Sequence, residues 1–135
     1  MFADADVDAY VLKAPTIAAY YNGIEVTPGV TMNGENVVTE ATADLCGMQA
    51  VLEIAGKTQG LDYEEFFGAF ANLWGQVVQE QALPSLLIDT HTLNNQRLNV
   101  NAQMFGPIYE QLGVQEGDGM YLAPEERINV WGPNA

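Results

Sequence analysis

The chain reads as a mainly α protein. Three observations say so. Apolar residues recur at helical spacing in several long stretches, Asp62 to Glu65 forms a strong helix start, and the β-branched runs between Ile24 and Val38 are short. Residues 4–22 place Val7, Tyr10, Val11, Ala14, Ile17, Ala18 and Tyr21 on one side of a helix, with Pro15 expected to kink or divide it and Asn22-Gly23 to end it. Ile24 to Val38, rich in Pro, Gly and Asn, predicts an extended connection with a brief strand pair.

Thr39 is the expected N-cap of a second helix, with Glu40 in its first turn and Leu45, Met48, Leu52 and Ala55 as its apolar face, fading near Gly56. Asp44 follows Glu40 by four residues, so both carboxylates share a face. Such a pair is either a solvated acidic face or a carboxylate that ligates a cation beside one that orients a neighbouring ligand. Asp62 and Glu65 then open a third helix. Its wide stripe of Phe66, Phe67, Phe70, Leu73, Trp74, Val77 and Val78, taken as core or cleft wall, is expected to run until Pro84.

Leu86 to Phe105 shows no helical period and its Asn-rich middle predicts loop and extended chain. Gly106-Pro107 starts a short helix through Leu112, closed by Gly113, and the tail reads as turns with one helical turn at Pro124.

A length of 135 residues suits a single unit, residues 1–135, with a real core. A formal net charge of −14 disfavours nucleic acid and anionic membranes as partners, and no stretch approaches a membrane span. No signal peptide is visible, and the lone Cys46, which excludes an intrachain disulfide, fits a reducing compartment. One histidine, His91, and one cysteine cannot build a closed zinc site of the usual kind.

Asp89-Thr90-His91 sets a carboxylate two residues before that imidazole. In an extended segment the two face the same way, so Asp89 could hold the ring and favour its charged form, a suitable proton donor or oxyanion stabiliser. Arg97 could grip a carbonyl or carboxylate. The plainer alternative is a loop histidine near an acid, with Arg97 in an ion pair.

Taken in order, these features resemble the C-terminal part of the neprilysin-like zinc endopeptidases, which include endothelin-converting enzymes and bacterial oligopeptidases. The shared residues are Glu40, Asp44 and Gly47; Asp89-Thr90-His91; Arg97-Leu98-Asn99; Gly117-Asp118-Gly119-Met120-Tyr121; Pro124-Glu125, Arg127 and Trp131. The resemblance implies the helical C-terminal segment of a thermolysin-like catalytic domain acting on oligopeptides. It implies Glu40 as third protein ligand of a catalytic zinc and Asp44 as the acid that orients a zinc-binding histidine. His91, positioned by Asp89, would stabilise the oxyanion, and Arg97 would bind a substrate carbonyl. Leu73 and Trp74 would line the primed-side pocket. A cytoplasmic, bacterial setting is the matching expectation.

The chain departs from the family pattern in several places. Ala41-Thr42-Ala43 stands where the family usually has Asn-Ile-Ala, Cys46 where glycine is usual, and Gly132 to Ala135 follow the usual last tryptophan. The His-Glu-x-x-His helix, with two zinc ligands and the general base, would lie roughly sixty residues before Glu40, ahead of Met1. The chain alone is therefore expected to bind zinc weakly, to leave peptides uncut, to need the N-terminal part of the same catalytic domain, and to self-associate through bared apolar surface. The competing reading is a non-catalytic helical binding module that kept the scaffold and lost the chemistry.

Overall fold

Six α-helices and one two-stranded ribbon carry the fold in a computed structural model that describes residues 3–131; Gly132 to Ala135, noted above for following Trp131, lie outside the described residues. The mainly α class is borne out. In order, the elements are α1 (Asp4–Asn22), β1 (Glu25–Thr27), β2 (Val30–Thr31), α2 (Gly34–Lys57), α3 (Tyr63–Leu73), α4 (Leu83–Leu87), α5 (Asn94–Met104) and α6 (Gly106–Leu112). The chain divides into two compact units, Met1–Ala43 with Val78–Thr92, and Asp44–Val77 with Leu93–Ala135. The long helix α2 contributes its first turns to one and its last turns to the other.

In the first unit α1 is not divided at Pro15. Proline removes the one hydrogen bond to the Val11 carbonyl, but both residues lie on the exposed face, where water can take its place. Ile17, Ala18 and Tyr21 are buried, and Asn22 ends the helix by bonding forward: its Oδ1 accepts from the Gly34 amide at 2.7 Å and its Nδ2 donates to the Glu35 carboxylate. Gly34 sits so close to the Ala18 backbone that an added Cβ would overlap the Ala18 carbonyl, so only glycine fits there. β1 and β2 pair antiparallel with an irregularity between Glu25 and Thr27.

Asn33, not Thr39, caps α2: its Oδ1 accepts from the Asn36 amide at 3.1 Å, and Thr39 lies inside the helix. Asn33-Gly34 has the look of a turn, and that turn is the cap itself. Val37 and Ala41 are buried in the first unit, while Leu45, Met48, Leu52 and Ala55 are buried in the second, as their spacing predicts.

In the second unit Asp62 caps α3 by accepting from the Glu65 amide at 3.0 Å. This helix ends at Leu73, well before Pro84; Trp74 is its C-cap and Gly75 follows. Val77 is 98% exposed, so the apolar stripe stops with Trp74. Pro84 instead occupies the first turn of α4, where a missing N–H costs nothing. Met48, Leu52 and Ile108 form the core, with Phe66, Phe67 and Phe70 packed half-buried against it.

α5 replaces the loop expected between Leu86 and Phe105. Its buried residues are Gln96, Val100, Asn101 and Met104, a helical spacing hidden because two of the four are amides. Each amide has local work: Gln96 Oε1 accepts from the Leu93 amide, and Asn101 Nδ2 donates to the Arg97 carbonyl. α6 closes on Gly113 at φ 68°, the left-handed position its sequence predicts. The tail hangs on Tyr109, whose hydroxyl accepts from the Leu122 amide at 2.8 Å while Arg127 lies 3.8 Å from its ring centre. A single 3-10 turn, Pro124–Glu126, matches the helical turn expected there.

Candidate functional site

The site residues fall into two groups, one in each unit. In the first unit Asp89 and His91 lie in a bend after α4, not in extended chain. Asp89 Oδ1 accepts from both the His91 amide and His91 Nδ1, each at 2.8 Å. The side chain thus closes a local turn and reaches the ring, which sequence spacing alone attributes to extended geometry. These donors, the amide first, hold the Asp89 carboxyl below the usual carboxylate range. A carboxylate accepts only, so the Nδ1 facing it carries a proton. The other ring nitrogen, Nε2, lies 3.4 Å from Glu40 Oε2.

Asn36 fixes this arrangement. Its Nδ2 donates to the carbonyls of Ile88 (3.3 Å) and Asp89 (2.7 Å), tying the bend to α2 one turn before Glu40. Sequence reasoning missed Asn36, because nothing local marks an amide whose partners lie 52 and 53 residues away.

In the second unit Arg97, on α5, makes a two-point ion pair with Asp44, on α2: Nε to Oδ2 at 2.7 Å and Nη2 to Oδ1 at 2.5 Å. Its guanidinium carbon lies 4.0 Å from the centre of the Trp74 ring. Leu73 is 69% exposed and makes no part of this stack. Nearby residues Met48, Phe67, Phe70, Leu98, Ala102 and Met120 help line an apolar cavity of about 250 Å³ in the same unit. Cys46 accepts from the Trp131 indole N–H at 2.8 Å, and burial pushes its thiol up despite that bond.

The donor set does not make a zinc site by itself. Among the described residues no three of His, Cys, Asp and Glu come together as metal ligands, and Glu40 offers one carboxylate where tight sites use three or four donors.

A family model described as peptidase family M13 matches residues 1–128. The chain belongs to peptidase family M13. That agrees with the neprilysin-like resemblance carried by its motifs. Similar proteins are named neutral endopeptidase. The one from Lactococcus lactis subsp. lactis (strain IL1403) is 32% identical over 129 residues, covering 95% of this chain and 20% of that protein. The one from Lactobacillus helveticus is 29% identical over 131 residues, covering 96% of this chain and 20% of that protein. This M13 chain therefore spans about a fifth of the length of the curated relatives it matches. No solved structure matches it. Among the described residues no helix is long and apolar enough to cross a membrane.

Proposed function

We propose that this chain is the part of a zinc-dependent M13 endopeptidase that supplies one metal ligand, an oxyanion-stabilising histidine and a substrate-binding arginine. The observation that carries the reading is His91, bound through Nδ1 to Asp89 at 2.8 Å and facing Glu40 with Nε2 at 3.4 Å. Its family membership and its relatives' names support a peptidase acting within the chain of its substrate. Glu40 would complete a zinc site whose other donors come from the rest of the catalytic domain.

The chemistry of this chain's own residues follows from their surroundings. Asp89 fixes the ring's orientation through Nδ1, so Nε2 is the nitrogen left to face an oxygen gaining negative charge, and it would donate there when the ring carries a proton on both nitrogens. Arg97, held by Asp44 through Nε and Nη2, would meet a peptide carbonyl as an oriented donor. The bound peptide is oriented by that contact, and the histidine acts on charge that develops later.

Joining the chain to an M13 segment that carries His-Glu-x-x-His tests the reading. Alone, the chain should leave a short peptide uncut and show no stoichiometric zinc in a calorimetric titration at neutral pH. Joined, it should cleave, and Glu40→Ala should lose both zinc and activity. Cleavage by the chain alone, or stoichiometric zinc in the joined Glu40→Ala protein, would overturn the assignment of Glu40 as one ligand among several.

A further inference from the structure

We propose that Trp74 is a positioning residue for Arg97: its indole is the platform that fixes the plane of the guanidinium beside Asp44. The proposal rests on Arg97 as the substrate-binding arginine, and it gives Trp74 a different job from lining a pocket.

A two-point ion pair sets the register of a guanidinium more firmly than its plane. Asp44 holds Arg97 through Nε and Nη2 at 2.7 and 2.5 Å, which fixes the fork in register with the carboxylate. Two parallel bonds still form a hinge, and the guanidinium can swing about the line joining them. The Trp74 face, 4.0 Å from Cζ, closes that swing on one side. A ring face attracts a planar cation, most strongly where water is scarce, and the two charged side chains keep only 17% and 14% of their surface.

Trp74 is itself held still. It is the C-cap of α3, its amide donates to the Ala71 carbonyl at 3.2 Å, and the Phe70 ring meets it nearly at right angles with centroids 6.5 Å apart. Its Nε1 is buried without a hydrogen-bond partner among the described residues. A buried indole usually finds an acceptor. The face of the ring is what meets the guanidinium. Held from two sides, the guanidinium meets an incoming carbonyl in one plane and loses less freedom on binding than a swinging side chain would.

The test is side-chain NMR of this chain, which holds two arginines, Arg97 and Arg127. Arg127 stacks on Tyr109 at 3.8 Å and serves as the internal control. The wild-type chain should show a cross-relaxation contact between Arg97 Hε and the Trp74 ring. Trp74→Leu should speed exchange of the Arg97 Hε proton by about tenfold and leave Arg127 unchanged. Trp74→Phe should restore most of the protection. Absence of the wild-type contact, or unchanged Arg97 exchange in Trp74→Leu with the Arg127 signal intact, would overturn the proposal. The contact is read on the wild type, so a poorly folding variant does not remove the test. In the joined enzyme, Trp74→Leu should raise KM more than it lowers kcat. Unchanged KM in Arg97→Met would instead overturn the substrate-binding reading of Arg97, with the NMR result left standing.

Discussion

Glu40, Asp89 and His91 keep 39%, 53% and 50% of their side-chain surface, whereas Asp44 and Arg97 keep 14% and 17%. The same kinds of groups, carboxylates facing a cation or an imidazole, thus occur in two solvent regimes. Exposed ion pairs add little to stability, because water competes for both partners. A buried pair is different: removing one partner leaves the other desolvated and unbalanced. The first cluster is therefore free to serve chemistry, and the second is part of what holds its unit together.

The largest expected effect on stability follows from that contrast. Asp44→Ala should destabilise the chain by about 3–5 kcal/mol, because it removes the carboxylate that balances the largely buried charge of Arg97 through two bonds. Urea unfolding followed by circular dichroism measures it; a loss under 1 kcal/mol would place Asp44 with the exposed cluster. Asn36→Ala comes next, at about 1–2 kcal/mol, since it removes the donor shared by the Ile88 and Asp89 carbonyls. The same variant should broaden the His91 ring signals, which Asn36 otherwise steadies through the bend.

Asp89→Asn should alter stability only slightly at neutral pH, and the sign of its pH dependence is fixed. The folded Asp89 carboxyl lies below its usual range, so the stability it adds is present above the unfolded value and disappears as the pH falls through the folded one. Wild type and Asp89→Asn should therefore converge in acid denaturation curves as the pH drops through the carboxylate range. The smallest effect concerns Cys46. Its raised pKa means less thiolate at neutral pH, so alkylation by iodoacetamide should be slower than for a free thiol and should quicken as the pH rises. Rapid reaction at neutral pH would contradict the burial that raises it.

Much of this was legible in the residues. The bounds of α1 and the closure of α6 at Gly113 follow from apolar spacing and from glycine or asparagine at the ends. The Asp89–His91 pair was legible because its partners lie two residues apart. The start of α2 was not, because a helix cap and a free turn use the same Asn-Gly signal. α5 was hidden by its composition: Gln96 and Asn101 occupy buried positions that a hydrophobic pattern leaves blank. The Asp44–Arg97 pair spans 53 residues, and nothing in the chain's order announces a partner at that distance. The ion-pair alternative for Arg97 foresaw the kind of contact and not its partner.

The measurement that bears most directly on the account is His91→Gln, made in this chain and in the joined enzyme and followed by unfolding, zinc content and steady-state peptide hydrolysis. A half-exposed ring should cost less than about 1 kcal/mol of stability when replaced. A donor that meets charge only in the transition state should instead cost about 10²–10³ in kcat, roughly 3–4 kcal/mol, with KM little changed. Near wild-type kcat with zinc bound would contradict the transition-state role and leave His91 a loop histidine beside two acids.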